Sequence, residues 1–160
     1  MHIVQISNDI DIMTGRFGAE PLERQVAYSE ELEAQRPGSY MTTIILSARR
    51  YASKSVGTHS FIVLSGFGRH SLQLFLELRR LHKRNPISVV SCQRPYCEAW
   101  VVLAFAWMQG IRVVGQIHFE ICSPKVKSVM FSGLHRQFVY HCMIWGLPYF
   151  HRLRVVGTAI

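Results

Sequence analysis

The chain has 160 residues, 49% of them apolar and 18% charged. That composition excludes a disordered chain and fits one compact domain, able to bury roughly two thirds of its unfolded surface without a disulfide or metal staple. Lys plus Arg number 18 against 10 Asp plus Glu, and the net charge of +8 favours an anionic partner (phosphate, nucleic acid or an acidic membrane surface) without choosing among them.

Residues 2–7 (HIVQIS) read as a buried strand, followed by a polar loop over 8–18 with Gly15 and Gly18. Residues 20–34 suit a helix: Pro21 fits its first turn, where a missing N–H costs nothing, and Leu22, Val26 and Ala27 supply an apolar stripe. Pro37-Gly38 ends it. Residues 41–47 (MTTIILS) are rich in β-branched side chains and read as a strand, 49–57 as a basic loop, and 60–65 (SFIVLS) as a further strand broken by Gly66-Phe67-Gly68. Residues 71–84 form an amphipathic helix with Leu72, Leu74, Phe75, Leu78 and Leu81 as its apolar set. Arg79, Arg80, Lys83 and Arg84 near its C-terminus complement the helix dipole. A strand over 86–91, a turn over 93–96, a nearly all-apolar helix over 97–109 capped by Gly110 and a strand over 111–117 come next. Residues 118–134 read as irregular, 136–145 as helical with Gly146 and Pro148 disrupting it, and 153–156 as the final strand.

Strands alternating with helices imply right-handed β-α-β units around a parallel sheet, and apolar runs without alternation imply strands buried on both faces. The four cysteines form no C-x-x-C pair and have no zinc spacing, so reduced structural thiols and a cytoplasmic setting are expected. Residues 1–9 lack the pattern of a signal peptide, and the longest apolar run, 99–108, is well short of the ~20 residues that span a bilayer. Trp100, Phe105 and Trp107 read as core or interface.

In an open parallel sheet, ligands bind beyond the C-terminal ends of the strands. The residues there are 8–18, 92–98, 118–123 and 157–160, and the fold should bring them together. Thr14 to Gly18 reads as a glycine loop opening a helix. Such a loop admits a phosphate to backbone N–H groups, or is an ordinary strand–helix turn; neither phosphate-loop consensus is present. His118 can hydrogen-bond a sugar hydroxyl or phosphate, or cap a turn structurally. Glu120 can serve as a base or be a solvated loop carboxylate. Glu98 opens an apolar helix, where the dipole stabilises it with or without a ligand. No zinc finger, helix-turn-helix or RNA-binding signature is present, so nucleic acid is not the expected partner.

Four segments are familiar together: Ile6-Ser7-Asn8-Asp9 with 18–28; Val89 to Ala99, including Gln93-Arg94-Pro95-Tyr96-Cys97-Glu98; Gln116-Ile117-His118-Phe119-Glu120 with Ser123-Pro124; and 144–160, ending in Leu153-Arg154-Val155-Val156. In that order the chain resembles the N-terminal, acceptor-side domain of family 4 retaining glycosyltransferases of the GT-B fold. The resemblance implies a Rossmann-like three-layer α/β/α domain over 1–160, with the donor-binding domain outside it. It implies a nucleotide-sugar donor, a glycan or lipid-linked acceptor, and neither cofactor nor metal. His118 and Glu120 would be the catalytic pair, His118 at the transferred sugar and Glu120 towards the acceptor. Gly15 and Gly18 would lie near the donor phosphates, and Arg94 and Glu98 in the substrate-binding turn. Arg94 and Phe119-Glu120 depart from the family's usual Asp and Thr-Asp. A non-catalytic Rossmann-like binding module is the alternative, and the charge suits peripheral association with an anionic membrane at its inner face.

Overall fold

The computed structural model describes residues 1–15, 18–65, 70–93, 97–117 and 133–155. In chain order the elements are β1 (His2–Ser7), α1 (Asp11–Thr14), α2 (Glu20–Gln35), β2 (Tyr40–Ser47), β3 (Lys54–Val56), β4 (His59–Ser65) and α3 (His70–Arg84). Then follow β5 (Val89–Gln93), α4 (Glu98–Gln109), β6 (Arg112–Ile117), α5 (Leu134–Gly146), a single 3₁₀ turn (Leu147–Tyr149) and β7 (Arg152–Val155). The strands make one sheet of seven in the order β3-β4-β2-β1-β5-β6-β7. All pairs are parallel except β3 with β4. This is a Rossmann-like, three-layer α/β/α arrangement.

Successive side chains of a strand point to opposite faces. On one face Val4, Ile6, Ile44, Val90 and Cys92 meet Leu74 and Leu78 of α3 and Val102 and Phe105 of α4. α5 joins this layer: Trp100 Nε1 donates to the Cys142 carbonyl at 3.0 Å, and Met143 packs with Ile117. On the other face Ile45 and Phe61 meet Ile12, Leu22 and Val26 of α1 and α2. Gly110 closes α4 in the left-handed conformation, φ 66°, as its position demands.

Several expectations change. The basic loop over 49–57 contains β3, which doubles back on β4 through Gly57 and makes the sheet mixed at that edge. No helix separates β2 from β4. The strand expected over 86–91 begins later, at Val89, because Pro86 and Ser88 precede its pairing with β1. β6 alternates between buried and half-buried positions, so the expectation of burial on both faces holds for β2 but not there. Trp107 is 86% exposed and is not core, while Phe105 is buried.

Two histidines are buried in the sheet. His59 Nδ1 lies 2.9 Å from the Gln25 carbonyl and Nε2 lies 2.8 Å from the Thr43 hydroxyl. A carbonyl only accepts, so Nδ1–H donates to it, and neutral Nε2 accepts from Thr43. His2 repeats the pattern with the Asn85 carbonyl and Thr42. Burial pushes both imidazoles below their usual range, since a charge there loses its hydration. As pH falls, the unfolded chain therefore takes up these protons first. Stability held at neutral pH is lost as the pH drops through the ordinary histidine value of ~6.5. The thermal midpoint is expected to fall between pH 7 and pH 5, and His59→Gln to flatten that fall. An unchanged slope in the variant would remove His59 from the account.

Candidate functional site

The sheet order places a switch point between β1 and β5: the chain leaves β1 towards β2 on one side and β5 towards β6 on the other. Crossovers that part in this way leave a crevice at the C-terminal ends of the two strands. Here it is a cleft of about 220 Å³ lined by Ser7, Asn8, Asp9, Arg24, Gln25 and Gln93, with Ile12 and Pro21 at its floor and rim.

Short-range bonds shape its β1 side. Ser7 Oγ accepts the Asp9 N–H at 3.1 Å, and Asp9 Oδ1 accepts the Asp11 N–H at 3.0 Å, a side-chain turn that starts α1. Gly15 ends α1 at φ 61°, donating its N–H to the Asp11 carbonyl. Gly18, φ 100°, donates to the Gly15 carbonyl at 2.9 Å. Gly15 thus closes a short helix, and Gly18 directly precedes Ala19, the N-cap of α2, which starts at Glu20 with Pro21 in its first turn. The expectation that Thr14 to Gly18 opens a helix holds at Gly18, while Thr14 and Gly15 end a short helix that the sequence did not signal. Both glycine N–H groups are spent within the loop. What Gly18 offers a ligand is the absence of a Cβ, which would point into open space.

The α2 side is set by Gln25, whose Oε1 accepts from Gln5 Nε2 at 3.1 Å in a buried contact. The preceding residue, Arg24, stands exposed, with a long 3.8 Å pairing to Glu20, also exposed. Surface pairs of that kind hold a guanidinium weakly, so Arg24 is free to turn to an anion in the cleft.

The cleft continues onto the sheet as an open groove of about 610 Å³. Its floor carries Gln5, Ser91, Gln93, Gln116 and Arg154 among the apolar Ile3, Met41, Val89 and Val114. Register aligns them: Gln5 lies opposite Ser91, Gln93 opposite Gln116, and Gln116 opposite Arg154. Gln116 Nε2 donates to Ser91 Oγ at 3.1 Å. Among the described helices α2 packs on this face, against β2 and β4, and its Tyr28, Glu31 and Gln35 form the groove's wall.

The residues singled out from sequence are placed unevenly. The 8–18 segment and the end of β5 do meet, through Asn8, Asp9 and Gln93. Glu98 lies in the first turn of α4, at the same end of the sheet, beside Cys92 and Cys97. His118, Glu120 and Arg94 lie outside the described residues, as do 157–160. Sequence reasoning assigned no site role to Gln5, Arg24, Gln25, Gln93, Gln116 or Arg154. The signal was present: β1, β5 and β6 are Val- and Ile-rich, yet each carries one glutamine near its C-terminal end. An amide in a buried strand needs partners, and three on one face form a polar row.

Comparison with family models finds no match, and comparison with curated proteins finds none. Among solved structures, the crystal structure of Arabidopsis thaliana UGT89C1 complexed with UDP is similar over 96% of this chain, at 12% identity and a TM-score of 0.49. The alignment covers 41% of that protein, so this chain spans well under half its length.

Cys92, in β5, packs in the core beneath α3 and α4 with 1% of its surface exposed. Burial, then the nearby Glu98 charge, pushes its thiol up to about 12. A thiol held that high is an inert packing group, because the thiolate is the reactive form. Iodoacetamide at pH 8 followed by peptide mass analysis should leave Cys92 unlabelled in the folded protein and label it in urea. Rapid labelling of the native chain would mean that the end of β5 opens.

Proposed function

We propose that this chain is the acceptor-side half of a glycosyltransferase, a domain that holds a glycan or lipid-linked acceptor while sugar is transferred from a nucleotide-sugar donor. The observation that supports it most is the row of polar side chains, set among the apolar Ile3, Met41, Val89 and Val114, in the groove that runs from the switch-point cleft across β1, β5, β6 and β7. Sugar hydroxyls both donate and accept hydrogen bonds, and carboxamides do the same in a fixed plane. A row of glutamines with a serine matches such a ligand without forcing a charge on it. Asp9 adds an acceptor at the cleft end, and Arg24 and Arg154 add cations at either end for an anionic part of donor or acceptor. The order of the four motifs along the chain supports the finer reading, a family 4 enzyme that retains anomeric configuration.

In this reading His118 and Glu120, which follow β6 in the sequence, are the catalytic pair. His118 contacts the transferred sugar as the glycosidic bond to the leaving diphosphate breaks and positive charge grows on the ring. Glu120 faces the acceptor hydroxyl. Arg94 and Glu98 are substrate-binding residues in the same reading. Gly15 and Gly18 keep the β1 side low enough for the donor phosphates to pass. The donor-binding half supplies the remaining cations that stabilise the diphosphate.

Two measurements test the proposal. Saturation-transfer NMR of this chain with a panel of short oligosaccharides is expected to show bound sugar protons. Gln93→Leu with Gln116→Leu should weaken that binding about tenfold, the loss of one or two hydrogen bonds at about 1 kcal/mol each. A panel in which no oligosaccharide receives saturation would overturn the acceptor role. In the enzyme that includes a donor-binding half, His118→Ala is expected to lower transfer by about 100-fold or more; unchanged turnover would sink the assignment of His118.

A further inference from the structure

The two helical layers differ in chemistry. α2, beside the groove, carries Glu20, Glu23, Glu30, Glu31 and Glu33 against the single cation Arg24. The opposite layer is aromatic and basic. On α3 an exposed stripe steps from Leu72 and Leu76 (65% and 53% exposed) to Arg79 and Lys83, one helical turn at a time. On α4 Ala104, Trp107 and Met108 share the exposed face. On α5 Phe138, His141 and Trp145 do so.

These stripes belong to one surface because the helices are packed side by side. Phe75 and His82 of α3 meet Phe105 of α4 edge-on. Trp100 of α4 bonds the Cys142 carbonyl of α5 and stacks at a tilt on Tyr149. The described carboxylates of α3, α4 and α5 are Glu77, already held by the Arg80 guanidinium, and Glu98, at the cleft end of α4. Among the described residues of these helices, the cations of this face therefore have no free carboxylate to meet.

Large apolar side chains this exposed on neighbouring helices mark an interaction site. Its composition chooses the occupant. A second copy docked face to face would bring Arg79 and Lys83 against a layer that is itself basic. An anionic bilayer offers what both halves need: phosphates for the Lys and Arg side chains, and an interfacial zone for indole and phenyl rings, which favour the headgroup level. Reversible attachment needs two signals, apolar insertion and a basic cluster, and both lie here together. None of the described helices is long and apolar enough to cross a membrane, so the contact would be one of lying on the surface.

We propose that the outer face of α3, α4 and α5 docks on an anionic phospholipid bilayer, with Trp107, Met108 and Trp145 entering the interface and Arg79 and Lys83 meeting lipid phosphates. α3 and α4 run alongside the sheet, so a chain seated in this way turns its groove-bearing face away from the lipid and leaves the switch-point cleft open at the sheet's edge. The proposal stands apart from the glycosyl-transfer reading and uses none of its residues.

The test is flotation of the full chain with vesicles of phosphatidylcholine mixed with phosphatidylglycerol, beside pure phosphatidylcholine. The chain is expected to float with the anionic vesicles, to bind them less at high salt, and to show a blue shift of tryptophan emission on binding. Trp107→Ser should lower the partition coefficient about tenfold, and Arg79→Glu with Lys83→Glu by about tenfold or more. All three positions are exposed, so circular dichroism and the thermal midpoint should match the parent chain, which separates lost docking from lost folding. Absence of binding to the anionic vesicles would overturn the proposal, as would binding that neither variant weakens. A dimer in vesicle-free solution that Trp107→Ser dissolves would overturn it too, assigning the face to a second copy.

Discussion

The parallel pairing of β1 with β5, Ile3 to Ile6 against Val89 to Cys92, determines where everything else can lie. Each strand feeds a crossover, and the two crossovers depart in opposite directions: β1 through α2 to β2, β5 through α4 to β6. A right-handed connection that departs in opposite senses from neighbouring strands must place its helices on opposite faces. α2 is thereby sent to one face and α4 to the other, and a cleft opens where they part. Ser7, Asn8 and Asp9 reach it because they follow β1 directly, and Gln93 because it ends β5. The site is a consequence of the pairing before any side chain is chosen.

The same pairing explains the unequal filling of the two faces. α3, α4 and α5 share one face, whose strands present Val4, Ile6, Val90, Cys92 and Val113 to them. On the other face α2 covers β2 and β4, where the buried set is Ile45 and Phe61. The polar contacts of this face begin where α2 crosses β1, with Gln25 joined at once to Gln5 through its side chain and to His59 through its carbonyl. A buried amide and imidazole that satisfy each other's neighbours fix the helix in register as well as in place, because sliding α2 by one turn would orphan both. Beyond β1 the row passes to Ser91, Gln93, Gln116 and Arg154, which a ligand can reach.

Much of this order was legible. The apolar parallel strands, the helices over 20–35, 70–84 and 98–109 and the Gly110 cap follow from period, breakers and β-branched content, all local properties. β3 was not legible because Lys54-Ser55-Val56 is too short and polar to signal a strand; its extended form comes from hydrogen bonds donated and accepted by β4. The role of Gly15 was misread for a similar reason. A glycine between a strand and a helix looks like the start of the helix, and only the Asp9 side-chain turn reveals that a separate short helix intervenes. Trp107 shows the limit of composition. α4 is apolar on nearly every side, so its sequence does not say which side faces water; the packing of α3 and α5 against it does.

That last feature ties the two surfaces of the domain together. A helix apolar all round is ordinarily buried all round, and α4 is not: its Ala99, Val102, Phe105 and Ala106 lie in the core while Trp107 and Met108 stand in water. Leaving an indole exposed forfeits roughly 2 kcal/mol of burial that folding could have gained, and nothing in α3 or α5 recovers it. The glutamines on the far side of the sheet present the converse case, polar groups placed where a closed sheet would carry valine. Each departure is explained if its surface meets something outside the fold. The two proposed occupants differ in kind: a hydroxylated ligand would exchange hydrogen bonds with one face, and an apolar phase bordered by anions would meet the other. The faces lie on opposite sides of one rigid sheet, so occupation of either leaves the other free, and a chain held by its aromatic layer would present its groove in a fixed orientation.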